Sequence, residues 1–141
     1  ITESARILIA EDNPVNQKVT LLQLRNLGYA ADVVSNGREA LAAIKRKPYT
    51  LVLMDAQMPD IDGVAATRRI REAQARGNSE FPANLTIIDM TANAMTGDRE
   101  ICIAAGMNDY LAKPVKTADL RKMLQHYLAA ELAPDETVTA S

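Results

Sequence analysis

Four places in the chain carry side chains that can do chemistry together. Glu11-Asp12 is an acid pair directly after the apolar run Arg6–Ala10 (RILIA), and Asp55 closes the run Leu51–Asp55 (LVLMD). Thr91 follows Leu85–Met90 (LTIIDM), and Lys113-Pro114 follows Asp109–Ala112 (DYLA). Carboxylates gathered in one place repel, and unassisted at least one would hold a proton at neutral pH. A hard divalent cation removes that conflict. Mg2+ suits a site with one or two carboxylates, several waters and a phosphate oxygen. The Thr91 hydroxyl and the Lys113 ammonium then supply a donor and a point charge for phosphoryl oxygens. Asp55 is the best nucleophile of the set, because carboxylates form aspartyl phosphates. Together these groups suggest phosphoryl transfer to Asp55. Taken singly each has an ordinary explanation: Asp12 can cap a helix, and Lys113 can be a solvated lysine. Compatible groups at four strand ends are harder to reach by accident.

That chemistry requires elements that bring the four places together. Short runs rich in Val, Ile and Leu recur along the chain, each followed by a segment with helical spacing; Ala30–Val34 (AADVV) completes a set of five strands. The first and third are almost continuously apolar, the pattern of parallel strands covered on both faces. The first helical segment opens at Asp12-Asn13-Pro14, carries Val15, Val19 and Leu22 as its apolar stripe, and stops at Gly28. Asn36-Gly37 starts a second with Ala40, Leu41 and Ile44, ending by Pro48. Gly63–Arg76 is a third, with Val64, Thr67 and Ile70 on an apolar side and arginines on the other. Thr96–Ala105 is a fourth, ended by Gly106, and Thr117–Ala130 a fifth, striped with Leu120, Met123, Leu124 and Tyr127. Five β-then-α units predict an α/β, doubly wound parallel sheet with right-handed crossovers and helices on both faces. Ligands of such sheets bind outside the carboxyl ends of the strands, where the reactive groups stand. The three acids converge if the first and third strands are neighbours. Residues 6–130 form the domain, residues 1–5 a short N-terminal linker, and Glu131–Ser141 (ELAPDETVTAS) a flexible C-terminal tail.

Composition narrows the classes. With 141 residues, 16 Lys+Arg, 18 Asp+Glu and a net charge of −2, the chain fits one domain without the clustered basic face that non-specific nucleic-acid binding needs. No apolar run approaches the ~20 residues that span a bilayer, and the N-terminus lacks the pattern of a signal peptide. Contact with nucleic acid or membrane is therefore not expected of this domain. The single cysteine, Cys102, excludes an internal disulfide and reads as a buried, apolar-like thiol. The chain starts at Ile1 without an initiator Met, so it is expected to be processed or a piece of a longer protein. Asp60–Gly63 looks like part of a calcium loop, but the required downstream Glu is absent, position 71 being Arg; it reads as the turn into the third helix. Ser35-Asn36-Gly37 reads as a turn and no more. His126 reads as surface or edge packing, and Arg68, Arg69 and Arg71 as a solvated charged face. A small α/β enzyme or flavoprotein is disfavoured: there is no Gly-rich dinucleotide fingerprint or P-loop, position 57 is Gln where a DxD phosphatase needs Asp, and no Trp offers a flavin a stacking partner.

Four stretches match a known family: Ile9–Asn16 (IAEDNPVN), Leu53–Pro59 (LMDAQMP) with Asp62-Gly63, Met90–Met95 (MTANAM) and Gly106–Pro114 (GMNDYLAKP). From about Ala5 to Ala130 the chain resembles the receiver domain of two-component response regulators. AEDNPVNQKV and TANAM are similar to receivers carried at the C-terminus of hybrid sensor histidine kinases. The resemblance implies a flavodoxin-like fold with strand order 2-1-3-4-5, and a domain that catalyses its own phosphorylation and dephosphorylation. It implies that Asp55 accepts a phosphoryl group from phosphohistidine. Asp12, Asp55 and the backbone carbonyl of Gln57 would ligate Mg2+ (or Mn2+), with Glu11 holding its water ligands. Thr91 and Lys113 would bind phosphoryl oxygens, and Pro114 would follow a cis peptide bond. Tyr110 would be the switch aromatic that moves with Thr91, while Gln57 and Asn93 would tune hydrolysis of the acyl phosphate. The implied partners are the phosphohistidine domain of a sensor kinase and a histidine phosphotransfer protein, docking on the first helix and the loops around Asp55. The implied setting is a bacterial cytoplasm, including the cytoplasmic part of a membrane-bound sensor. The alternative is a stand-alone regulator whose fourth and fifth helices bind an effector. One residue departs from the pattern: Asp89 stands where the family usually has a small or apolar residue such as Ala. In a strand covered on both faces an acid has no cheap direction to point. It is expected to reach solvent or a polar partner; the sharper alternative is that it perturbs Thr91 or the path of Tyr110.

Overall fold

The apolar runs pair as the alternation demands. The computed structural model describes residues 7–55, 58, 61–77, 81, 82, 84–91 and 96–140, with backbone alone at 96–99 and 129–140. Strands β1 (Ile7–Ala10), β2 (Ala31–Val34), β3 (Leu51–Asp55), β4 (Thr86–Thr91) and β5 (Asp109–Ala112) alternate with helices α1 (Pro14–Asn26), α2 (Gly37–Arg46), α3 (Gly63–Ala75), α4 (Thr96–Ala105) and α5 (Thr117–Ala140). The sheet is parallel throughout, in the order β2-β1-β3-β4-β5. The first and third strands are neighbours, as convergence of the acids requires. Both are buried along their whole length, whereas the edge strands β2 and β5 are partly open.

Because successive strand residues face opposite sides, the sheet carries two cores. On one side Leu8, Val52 and Ile87 meet Ala40 and Ile44 of α2, Ala66 and Ile70 of α3, and Cys102 of α4. On the other, Ile9, Leu53 and Ile88 meet Leu24 of α1 and Leu120, Leu124 and Leu128 of α5. Each such aliphatic side chain contributes roughly 1.5–3 kcal/mol when fully buried. The α5 stripe read from spacing is the one that faces the sheet. Its helical backbone runs to Ala140, beyond the end expected at Ala130.

Helix α1 decides one alternative that the sequence leaves open and corrects one expectation. Its cap is Asn13, whose Oδ1 accepts from Val15 N at 2.8 Å and Asn16 N at 3.3 Å, with Pro14 at the first helical position. Asp12 is thereby released from capping. The expected stripe of Val15, Val19 and Leu22 faces outward, at 67%, 49% and 56% exposure, and Thr20 and Leu24 are buried instead. Apolar residues lie nearly all round this helix, so spacing alone does not select the face that meets the sheet. Asp62 caps α3 by accepting from Ala65 N at 2.8 Å, as expected of the turn into that helix.

Arg71 is also not the solvated arginine it looked like. Its Nε donates to Gly106 O at 2.9 Å and its Nη2 to Asn108 Oδ1 at 2.8 Å, tying α3 to the connection before β5. Burial lowers the guanidinium pKa from its ordinary value. Asn108 continues the tie: its Oδ1 accepts from Ile87 N at 2.8 Å and its N–H donates to Ile87 O at 2.7 Å.

Candidate functional site

Four of the five strand ends, all but that of β2, carry the candidate residues. Pairing of β1 with β3 sets Ala10 beside Met54, so the residues that follow emerge side by side. Glu11, Asp12 and Asp55 each present a carboxylate oxygen, and these oxygens lie within 4.8 Å of one another. Glu11 and Asp55 are buried at 1% and 6% exposure, while Asp12 opens to solvent.

Glu11 is held on all sides. Its backbone N–H donates to Val34 O at 3.1 Å, adding a rung beyond β2, and its carbonyl accepts from Gln17 Nε2 at 2.5 Å. Its Oε2 accepts from Asn13 N at 3.1 Å. Its Oε1 accepts from the Lys113 ammonium at 2.6 Å, and the same ammonium donates to Asp55 Oδ2 at 2.9 Å. Lys113 reaches this point because its N–H bonds to Thr91 O at 2.7 Å, carrying the β5–β4 pairing one residue onward; the Lys113–Pro114 peptide is cis. Burial on its own depresses the Lys113 pKa, but the hydrogen bonds and charges of Glu11 and Asp55 outweigh it and raise the pKa above its ordinary value. Lys113 is therefore a fixed cation at neutral pH.

Thr91 ends β4 buried, one residue past Met90, the register partner of Asp55. Tyr110 lies on β5 opposite Asp89 and is half-buried. Gln57 and Asn93 fall outside the described residues. Two glycines that the sequence marks only as helix starts lie against the backbone of β3 and of the connection after it. A Cβ on Gly63 would stand 2.2 Å from the carbonyl oxygen of Asp55, and one on Gly37 would stand 2.0 Å from that of Ile61. The first turns of α3 and α2 thus press on the Asp55 backbone and the connection after it, which only glycine permits. The available signal was a glycine directly after a capping Asn or Asp, in a first turn where glycine disfavours helix by about 1 kcal/mol.

Chemically, three carboxylates face one ammonium, which leaves negative charge in excess. The donors are all hard oxygens, two of them pre-positioned by hydrogen bonds, and fit a small divalent cation with open positions for water and a phosphate oxygen. Asp89 is buried at 1% exposure, and one polar partner is Cys102, whose Sγ donates to Oδ2 at 2.8 Å. It finds a polar partner but not solvent. His126 is exposed, its ring edge-on to Tyr127 at 4.6 Å. Among the described residues no helix is long and apolar enough to cross a membrane.

Comparison with known proteins gives one answer. The family model of the response regulator receiver domain matches residues 7–125. Hybrid signal transduction histidine kinase B of Dictyostelium discoideum is 42% identical over 129 residues, covering 87% of this chain and 7% of that protein. Histidine kinase 5 of Arabidopsis thaliana is 40% identical over 147 residues, covering 90% of this chain and 16% of that protein. The chain thus spans well under a fifth of the curated relatives it matches, and their sources do not specifically support a bacterial origin. Among solved structures, the receiver domain of a Pseudomonas aeruginosa sensor histidine kinase, with a magnesium ion coordinated in its active-site cleft, is 45% identical at a TM-score of 0.76, covering 89% of this chain and 98% of that one. The receiver domain of a Saccharomyces cerevisiae response regulator, crystallised with a histidine phosphotransfer protein, is 31% identical at a TM-score of 0.79, covering 87% and 88%. Fold, site geometry and these likenesses agree that the chain belongs to the response regulator receiver domain family.

Proposed function

We propose that residues 6–130 act as the phosphoacceptor of a His–Asp phosphorelay, within a hybrid histidine kinase. An Asp55 carboxylate oxygen attacks the phosphorus of a phosphohistidine; the O–P bond forms as the P–N bond breaks, and the imidazole nitrogen keeps the electron pair and takes up a proton. Asp12, Asp55 and the Gln57 carbonyl would hold Mg2+, with Glu11 acting through water; when bound, the ion neutralises phosphoryl oxygens. Lys113 orients Asp55 through its bond to Oδ2 and offers its charge to the incoming group. Thr91 supplies a hydroxyl donor from the neighbouring strand, and Gln57 and Asn93 tune hydrolysis.

The observation that carries this reading is the two-way bond of Lys113 to Glu11 and Asp55 inside the carboxylate cluster. It supports the reading by bringing one ammonium onto the carboxylates of both Glu11 and Asp55. The test is labelling with acetyl phosphate and Mg2+, read by intact mass. Wild type is expected to gain one phosphoryl group; Asp55→Asn is expected to gain none, and full modification of that variant would overturn the assignment.

The proposed partner is a histidine phosphotransfer protein or the kinase's own phosphohistidine domain. Support comes from the outward apolar stripe of Val15, Val19 and Leu22, on the helix that starts three residues after Glu11. The yeast relative crystallised with such a protein points the same way. A free-standing regulator would draw on exposed Ile101 and Ile103 of α4. Two residues apart on a helix they point in nearly opposite directions and form no stripe, so the relay reading is preferred.

A further inference from the structure

Buried behind Thr91 is a second polar contact that the chemistry above leaves unused. Ile87, Asp89 and Thr91 alternate onto one face of β4, the face whose core includes Cys102. Asp89 and Cys102 are exposed by only 1% and 3%, and the thiol donates to Asp89 Oδ2 at 2.8 Å. A carboxyl kept from water is expensive unless a donor satisfies it. The contact therefore joins strand and helix at a defined height and rotation. It lies two residues before Thr91 on the same face of β4, so it ties the end of the strand that carries the hydroxyl to α4.

From this geometry we propose that Asp89 is a positioning residue for phosphoryl transfer to Asp55: through its bond to Cys102 it fixes the end of β4 against α4 and holds the Thr91 hydroxyl where a phosphoryl oxygen arrives. The inference rests on the phosphoacceptor reading. A donor contributes to transfer only while it is already in place, and small displacements forfeit much of its effect. Serine at position 102 preserves a donor and asparagine at position 89 preserves an acceptor, whereas alanine at either removes the bond.

The experiment follows the rate of Asp55 labelling by acetyl phosphate with Mg2+, in which the Asp55 O–P bond forms as the P–O bond to the departing acetate breaks. Asp89→Ala and Cys102→Ala are each expected to slow labelling about tenfold. Cys102→Ser and Asp89→Asn are expected to label near the wild-type rate. In a Thr91→Ala background, Cys102→Ala is expected to cause no further loss, because the effect passes through the missing hydroxyl. Mg2+ affinity by calorimetry is expected to stay unchanged in Cys102→Ala, since the metal-binding acids stand on other strands. Should Asp89→Ala fail to fold, the Cys102 pair decides alone. Wild-type rates in both alanine variants, slowing that persists without Thr91, or a parallel loss of Mg2+ affinity would each overturn the inference. Absence of labelling in wild type would instead overturn the phosphoacceptor reading beneath it.

Discussion

At the residue scale, the tightest constraint beside the site is steric. Gly63→Ala would drive a methyl into the Asp55 carbonyl, at 2.2 Å, and toward the Asp55 carbonyl carbon and Met54 Cγ, each at 2.9 Å. Neither backbone nor buried methionine can yield cheaply, so the substitution is expected to destabilise by about 1–3 kcal/mol in urea denaturation and to slow labelling of Asp55. Gly77→Ala is the control. Its φ of 76° is strained for alanine, but nothing lies within 4 Å, so a loss of about 1 kcal/mol with unaltered labelling is expected. The candidate residues themselves stood out because each ends a strand or lies within two residues of its end. What each one touches was less so. Asp12 could equally have capped α1 until Asn13 was seen to do it, and Arg71 looked like its solvated neighbours until Gly106 and Asn108 were found beside it. Such contacts join segments about 35 residues apart, and spacing within one helix carries no trace of them.

At the scale of elements, the periodicities located the strands and helix starts, because caps, prolines and glycines act locally. They did not orient α1, whose side chains are apolar on several sides, so the choice of buried face was left to packing against β1 and β2. Helix α5 is oriented by more than its apolar stripe. Tyr127 donates to Asp109 Oδ2 at 3.0 Å and to Asn108 O at 3.2 Å, and burial, with the hydrogen bond and charge of Asp109, raises its pKa to about 12. An unfolded tyrosine ionises near pH 10. Below that value both states keep the proton and the contact contributes fully. As pH rises through the window from about 10 to about 12, the unfolded state loses its proton first and the contribution fades. Tyr127→Phe is therefore expected to be about 1 kcal/mol less stable than wild type at pH 8, with the difference shrinking in chemical denaturation at pH 11.

At the scale of the whole molecule, α1, with its outward stripe, starts three residues after Glu11, which is where the proposed protein donor would dock. Val19→Asp is expected to leave labelling by acetyl phosphate unchanged while reducing transfer from a histidine phosphotransfer protein by about tenfold or more, since a charge replaces an apolar contact at the dock. Equal losses with both donors would refute the docking role. The doubly wound architecture was legible from five β-then-α repeats, whereas the strand order came from family likeness, because alternation of elements does not say which strand starts the reversal. The bond from Lys113 reaches back 102 positions to Glu11 and 58 to Asp55. An emerging polypeptide thus displays its acids long before it possesses the lysine that organises them. The paired arrangement arrives only after the final strand, and a product cut short before it would carry the Asp55 carboxylate yet lack the ammonium that bonds it.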